Sequence, residues 1–142
     1  MLDCEEALRW LRQAEYTLRS AEGDERLGFY AWACFKAHQV AEYALKAVLR
    51  GVGLESFSPN LLTLWSRARG VCTELEGLKE CVTLLNKMYI PTRYPDAWAS
   101  PSAPYENYTG RDARSAIDCA SRIYQVVSRC VRGACEDTRG EA

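Results

Sequence analysis

The segment from Gly28 to Arg50, GFYAWACFKAHQVAEYALKAVLR, constrains the fold most, because it is apolar on almost every side yet carries three ionisable residues in register. His38, Glu42 and Lys46 follow each other at steps of four, which places them on one stripe of an α-helix. A helix that is apolar nearly all round is typical of the middle of a bundle. The segment therefore predicts a central, buried helix with a single polar stripe.

Length and composition limit the number of domains and the classes of protein to which the chain can belong. A sequence of 142 residues fits one domain, which we place at residues 1–133 with a frayed tail at 134–142. The 48% hydrophobic content excludes a mainly disordered protein. The formal net charge of -1 argues against a protein held to nucleic acid or to a membrane by overall positive charge.

The N-terminal stretch MLDCEEALRWLRQAE is acidic and amphipathic, so it differs from a secretory signal. No apolar run approaches the roughly 20 residues that a membrane span requires. We therefore expect a cytoplasmic protein that does not contact a membrane.

The cysteines form no recognisable metal motif. No two of them make a CxxC pair and none has a histidine beside it, unlike the pattern of a zinc site. An odd number without a signal peptide favours reduced thiols that pack as small apolar side chains, with disulfides of the hyperthermophile kind as the alternative. The seven are Cys4, Cys34, Cys72, Cys81, Cys119, Cys130 and Cys135.

Start and stop signals divide the chain into helices. The Asp3-x-x-Glu6 box predicts a helix that ends at Gly23 and Asp24, and a second helix from about Glu25 to Arg50. A short third helix begins after the pair at positions 58–59, Ser-Pro, and ends before Gly70, and a fourth begins at the box at 73–76 and cannot pass Pro91. The last helix is predicted from Arg111 to about Gly133.

Four prolines, Pro91, Pro95, Pro101 and Pro104, exclude regular helix from residues 89–110. Because no run alternates as a half-buried strand does, the chain is predicted to be all-α. We expect an antiparallel up-and-down bundle of four long helices plus one short helix, with this long proline-rich loop before the last helix.

Two motifs in this order resemble the HEPN domain, a helical bundle of higher eukaryotes and prokaryotes proposed to bind nucleotides. The first is the His-Gln-x-x-Glu-x-x-Leu-Lys pattern at 38–46, and the second is the Arg93-Tyr94-Pro95-Asp96 tetrapeptide. The similarity extends from about Leu8 to Val131, since an amphipathic first helix, the 61–65 segment and a closing helix also match.

The resemblance implies a homodimer, or a complex with a minimal nucleotidyltransferase encoded beside it, often in a toxin and antitoxin setting. Many relatives are metal-independent RNases whose signature is an arginine followed a few residues later by a histidine. Arg93 matches the arginine, whereas the corresponding histidine positions hold Trp98, Ala99 and Ser100.

Each candidate side chain has a functional and a structural interpretation. Arg93 can grip phosphate with Tyr94 as a stacking face and Asp96 as a further binding residue, or it can hold Asp96 in a tight turn. Lys46 and Glu42 can contact a phosphate and a base or ribose, or they can form a partly buried pair that fixes helix packing. His38 can transfer a proton, or it can be a hydrogen-bonded core residue.

The sequence has no GxxxxGK[ST] loop, no GxGxxG after a strand and no HExxH, so we expect no metal and no cofactor. The favoured interpretation is a dimeric nucleotide- or RNA-binding module, without strong catalysis of its own. The first alternative is an RNase toxin that uses Arg93 with His38 or Tyr94. The second is a structural interaction domain that assembles through aromatic residues around Trp32, Trp98 and Tyr105.

Overall fold

A computed structural model describes residues 2–140, with side chains as far as Glu136. Those residues contain no strand, and no helix among them is both long and apolar enough to cross a bilayer. Five α-helices form the bundle, which confirms the predicted fold class. They are α1 (Cys4–Leu27), α2 (Tyr30–Gly51), α3 (Leu61–Ala68), α4 (Lys79–Asn86) and α5 (Gly110–Gly140).

Helix α2 lies at the centre, as its apolar surface predicts. It packs against α1, α5, α3 and α4. Small residues on its buried surface, among them Ala33, Ala37, Ala41 and Ala44, are inaccessible to solvent and allow its neighbours to approach closely.

The turn between α1 and α2 lies four residues later than the sequence signals suggest. Helix α1 continues through Gly23, and the reversal occurs at Gly28, which has a φ of 84°. Phe29 N–H donates to the carbonyl of Asp24 over 2.8 Å and so satisfies the helix end. Asp24 also binds Lys36 of α2 at 2.7 Å, an interaction that helps to offset the cost of a mid-helix glycine.

Two of the five helices are short, where the sequence predicts one. Helix α3 starts two residues later than the Ser-Pro signal predicts, because Asn60 is its N-cap and accepts from the amides of Leu62 and Thr63. The expected fourth long helix is a 3-10 segment, Thr73–Leu78, followed by α4. Trp65 Nε1 donates to the Leu75 carbonyl over 2.6 Å, which removes that carbonyl from an α-helical ladder.

The proline-rich loop is ordered by its own contacts. It contains two 3-10 turns, Pro95–Ala97 and Pro104–Asn107. Trp98 donates from Nε1 to the carbonyl of Pro91 over 2.7 Å and packs edge-on against Tyr108. A capping box between Thr109 and Asp112 then starts α5, a Thr-x-x-Asp signal that the sequence carries and our sequence analysis missed.

Helix α5 extends to Gly140, beyond the predicted end near Gly133, and residues 141–142 lie outside the described range. Three disulfides join it to the rest of the chain, contrary to the expectation of reduced thiols: Cys4–Cys135, Cys72–Cys130 and Cys81–Cys119. Sequence separations of 131, 58 and 38 residues hide these pairs from motif reasoning. Helix packing places their Cα atoms 5.0 to 6.0 Å apart.

Candidate functional site

His38 is fully buried, and both of its ring nitrogens have partners. Nε2 donates to the carbonyl of Pro59 over 3.1 Å, which fixes the proton on that nitrogen because a carbonyl only accepts. Nδ1 lies 2.9 Å from Gln39 Oε1, so a neutral ring that carries its proton on Nε2 requires the Gln39 amide in the flipped orientation, with its NH2 group donating to Nδ1. Burial is the main reason that the pKa of His38 falls below its ordinary value. The ring is therefore neutral at physiological pH and closed to solvent.

Glu42 and Lys46 form a largely buried ion pair one and two turns further along α2. Lys46 Nζ lies 3.0 Å from Glu42 Oε2, and the two side chains are 8% and 12% exposed. The second carboxylate oxygen, Oε1, has no hydrogen-bond partner among the described residues and lies 4.0 Å from His38 Nδ1. The pair therefore lies mostly inside the protein, and little of either side chain reaches the surface.

Arg93 is held in a fixed orientation by aromatic rings. Its guanidinium carbon lies 4.1 Å from the ring centroid of Phe35, 4.5 Å from that of Tyr89 and 4.8 Å from that of Tyr94. Nε donates to the carbonyl of Tyr89 over 2.9 Å, and Nη1 donates to the Tyr94 hydroxyl over 3.4 Å. Stacking of this kind restricts the rotamers of a long side chain in advance of binding.

No carboxylate among the described residues forms an ion pair with Arg93. The predicted salt bridge with Asp96 is therefore wrong: Asp96 is exposed in the 3-10 turn that follows, and the guanidinium turns toward the aromatic rings instead. Other arginines of the chain, such as Arg114 and Arg129, do have carboxylate partners. Arg93 thus retains an uncompensated positive charge whose Nη2 group makes no hydrogen bond to the described protein atoms.

Tyr89 joins the two halves of the predicted site. Its ring packs against His38 with centroids 4.9 Å apart, and the same ring lies under the guanidinium of Arg93. The structure therefore brings together His38 and Arg93, which are 55 positions apart in the sequence. Lys46 makes its polar contact with Glu42 and takes no part in this cluster.

Partly exposed aromatic residues extend the surface around Arg93. Tyr94 is 47% exposed and Trp32 is 50% exposed, and Trp32 packs edge-on against Phe35, which itself contacts Arg93. Our sequence analysis missed Phe35 and Tyr89 as partners of Arg93. For Tyr89 the available signal is its position four residues before Arg93, in the irregular turn that follows α4.

The cluster has the chemistry of anion recognition. A planar guanidinium binds a phosphate through two parallel hydrogen bonds, and flat exposed rings accept a nucleobase. Cys34 lies in the α2 core, and burial raises the pKa of its thiol to about 12, so it is a poor nucleophile. Among the described residues, no group of three His, Cys, Asp or Glu side chains is arranged to hold a metal ion.

Comparison with known proteins supplies the family. The HEPN domain model matches residues 7–130, most of the chain. This protein belongs to the HEPN family. Among solved structures, TT1696 from Thermus thermophilus is 39% identical with a TM-score of 0.82, over 88% of this chain and 98% of its own. ST0689, described as an archaeal HEPN homologue, is 36% identical with a TM-score of 0.73, over 89% and 98%.

A HEPN domain protein from Thermotoga maritima is 25% identical, with a TM-score of 0.54, over 94% of this chain and 99% of its own. Human sacsin is 31% identical over 124 residues, which is 83% of this chain. The chain spans about 3% of the length of sacsin, so that similarity concerns a small part of sacsin.

Proposed function

We propose that this HEPN domain is a binding module for single-stranded RNA or a nucleotide, and that Arg93 is its phosphate anchor. The observation that carries the proposal is the arginine itself: three rings and the Tyr89 carbonyl fix the guanidinium, and no described carboxylate neutralises it. Preorganised cations of this kind bind phosphate without the entropic cost of ordering a free side chain.

Roles for the remaining candidate residues follow from their exposure. Tyr94 is the stacking face for a base, since its ring is half exposed beside Arg93. His38, Glu42 and Lys46 hold α2 in register behind the cluster, because all three are largely buried. Asp96 lies at the exposed edge of the cluster and limits how closely a phosphate chain approaches from that side.

RNA binding by Arg93 is tested with a fluorescently labelled single strand and with AMP or ATP. Arg93→Ala weakens binding by about tenfold or more, and Arg93→Lys recovers only part of it because an ammonium lacks the two-pronged geometry. Arg12, an exposed arginine of α1 with no ion pair to the described residues, provides the control. If Arg12→Ala and Arg93→Ala weaken binding equally, a diffuse surface charge is responsible and the proposed site is wrong.

RNA cleavage without metal is the second candidate function, and one observation favours it. The Tyr94 hydroxyl lies 3.4 Å from Arg93 Nη1, so a phenolic hydroxyl and a cation share one surface. His38 has the opposite features, because burial and two hydrogen-bond partners keep it from a substrate. Incubation of RNA in EDTA with wild type, Arg93→Ala and Tyr94→Phe separates the two functions.

The proposal also concerns the oligomeric state and the partner of the domain. We propose that the domain acts as a homodimer, with a nucleotidyltransferase-domain protein as a further partner in a cytoplasmic toxin and antitoxin setting. Two exposed aromatic residues at the start of α2, Trp32 at 50% and Phe29 at 55%, support such a contact, and Trp32 packs against Phe35 of the cluster. Light scattering of the purified protein and co-purification from its host test the two parts separately.

A further inference from the structure

A groove adjoins the Arg93 cluster and is not used by the phosphate anchor. It lies between the start of α3, the end of α4 and the following turn, with a volume of about 490 Å³. Asn60, Asn86 and Lys87 form its polar rim, and Tyr89 and Ile90 form its apolar wall. Tyr89 also lies under Arg93, so the groove and the anchor share one residue.

The two asparagines present hydrogen-bond donors to this groove. Asn60 Oδ1 accepts from the amides of Leu62 and Thr63, and Asn86 Oδ1 accepts from the Leu61 amide over 2.8 Å. A backbone N–H can only donate, so these contacts identify the oxygen of each side-chain amide and leave the Nδ2 group as its other end. Neither Nδ2 group makes a hydrogen bond to the described protein atoms.

Most backbone carbonyls of the groove wall already accept a hydrogen bond from the protein. The carbonyl of Pro59 accepts from His38, and the carbonyl of Tyr89 accepts from Arg93. The carbonyls of two further wall residues also have protein donors: Ile90 accepts from the amides at 93 and 94, and Pro91 accepts from the indole at 98. Each of these carbonyls already has at least one protein donor, whereas neither Nδ2 group has a protein acceptor, so the groove suits a ligand that supplies acceptors, and Lys87 adds a cation for the same purpose.

We infer that the groove is a nucleobase subsite for a keto base, of the uracil or guanine type, in an RNA strand whose phosphate lies on Arg93. This inference rests on the proposed function. Keto bases present carbonyl oxygens where adenine and cytosine present an amino group, and an amino group would face the Nδ2 donors without a partner. The apolar wall and the Tyr89 edge supply the contact for the flat face of the base.

The test compares oligo-uridine and oligo-adenosine strands of about ten nucleotides, a length that one small domain can cover. We expect uridine to bind about tenfold more tightly, the size of one to two hydrogen bonds. Asn60→Ser keeps an N-cap side chain for α3 but removes the donor, so it should reduce the preference toward unity without unfolding the helix. Asn86→Asp keeps the acceptor for the Leu61 amide and should do the same.

Controls separate charge and assembly from base recognition. Ser66→Asp adds the same charge as Asn86→Asp on the exposed side of α3 and should leave the uridine preference intact. If wild type binds both strands through Arg93 without preference, the keto-base subsite is wrong and the phosphate anchor stands. If wild type binds no RNA, both the subsite and the proposed function are wrong. Dissociation of a dimer by Lys87→Glu would assign the groove to a second copy of the chain and would also overturn the inference.

Discussion

The imidazole ring of His38 packs against the phenol ring of Tyr89, with centroids 4.9 Å apart and planes inclined by 37°. The guanidinium of Arg93 lies 4.5 Å from the centroid of the same ring. Burial is the main cause that lowers the pKa of His38, and the charge of Arg93 adds to it. One aromatic ring therefore contacts a neutral imidazole and a cationic guanidinium, which assigns the positive charge of the site to Arg93.

Stability should depend on pH through His38, the single histidine of the chain. Below pH 6.5, its ordinary pKa, the unfolded chain takes up a proton that the folded protein resists, so the free energy of unfolding falls as pH falls. A single group limits this slope to about 1.4 kcal/mol per pH unit. Wild type should therefore lose more thermal stability between pH 7 and pH 5 than His38→Gln.

Thermal melts of both proteins in matched buffers check this prediction. The pH window lies above the range in which ordinary carboxylates titrate, so the difference between the two curves isolates the histidine. Parallel curves for wild type and His38→Gln would show that the ring ionises as it does in water.

Removing one charge of the Glu42–Lys46 pair should lower the free energy of unfolding more than removing both charges. Lys46→Met leaves a carboxylate that is 12% exposed without its cation, and we expect a loss of about 3 kcal/mol in the free energy of unfolding. Adding Glu42→Gln to that variant removes the uncompensated charge and should restore most of the loss. Urea denaturation measures both changes. Normal RNA binding by the double variant would support a packing role, whereas its loss would place Lys46 in the binding site.

The three disulfides should make the position of α5 sensitive to reductant. Reduction lowers the free energy of unfolding, because the closed loops of 131, 58 and 38 residues regain their freedom in the unfolded chain. We expect the melting temperature to fall by on the order of 10 °C when a phosphine reductant is added.

Alkylation of denatured, unreduced protein provides the chemical readout. Only Cys34 should react, since the other six cysteines are paired. Cys34→Ser is the matched control, and its sensitivity to reductant should equal that of wild type. Seven alkylated cysteines in protein purified without reductant would contradict the pairing.

Two glycines in helices should respond oppositely to alanine. A Cβ at Gly51 would lie 2.6 Å from Leu2 Cδ1 and 3.2 Å from Ala7 Cβ, so Gly51→Ala should destabilise the protein by about 1 kcal/mol or more. A Cβ at Gly133 meets nothing within 4 Å, so Gly133→Ala should stabilise α5 by up to about 1 kcal/mol. Calorimetry of the two variants measures both signs. Equal changes in stability for the two variants would show that Leu2 and Ala7 move aside to accommodate the Cβ at residue 51.

Local signals in the sequence predicted the helices well and the turns between them less well. Asp3 accepts from the amide of Glu6, which is one half of the predicted box, whereas the Asp3 amide donates to the Gly51 carbonyl and the Glu6 carboxylate binds Arg9 and Trp10. Helix α2 is buried, as its apolar surface indicates. The turn predicted at Gly23 is wrong: α1 continues to Leu27 and reverses at Gly28, and the Asp24–Lys36 ion pair joins the extra turn to α2. A single-residue stop signal of about 1 kcal/mol is easily outweighed by packing of this kind.

The sequence by itself determined the helical class and the central position of α2, and it singled out Arg93 as a candidate, because each depends on local spacing or on a contiguous motif. Tertiary structure alone decided which rings hold Arg93, that His38 shares Tyr89 with it, and which cysteines pair. Phe35 and Tyr89 meet around Arg93 only after α2 packs beside the turn that follows α4. Contacts of that separation depend on how helices cross, a property set by the whole core and by no short stretch of chain.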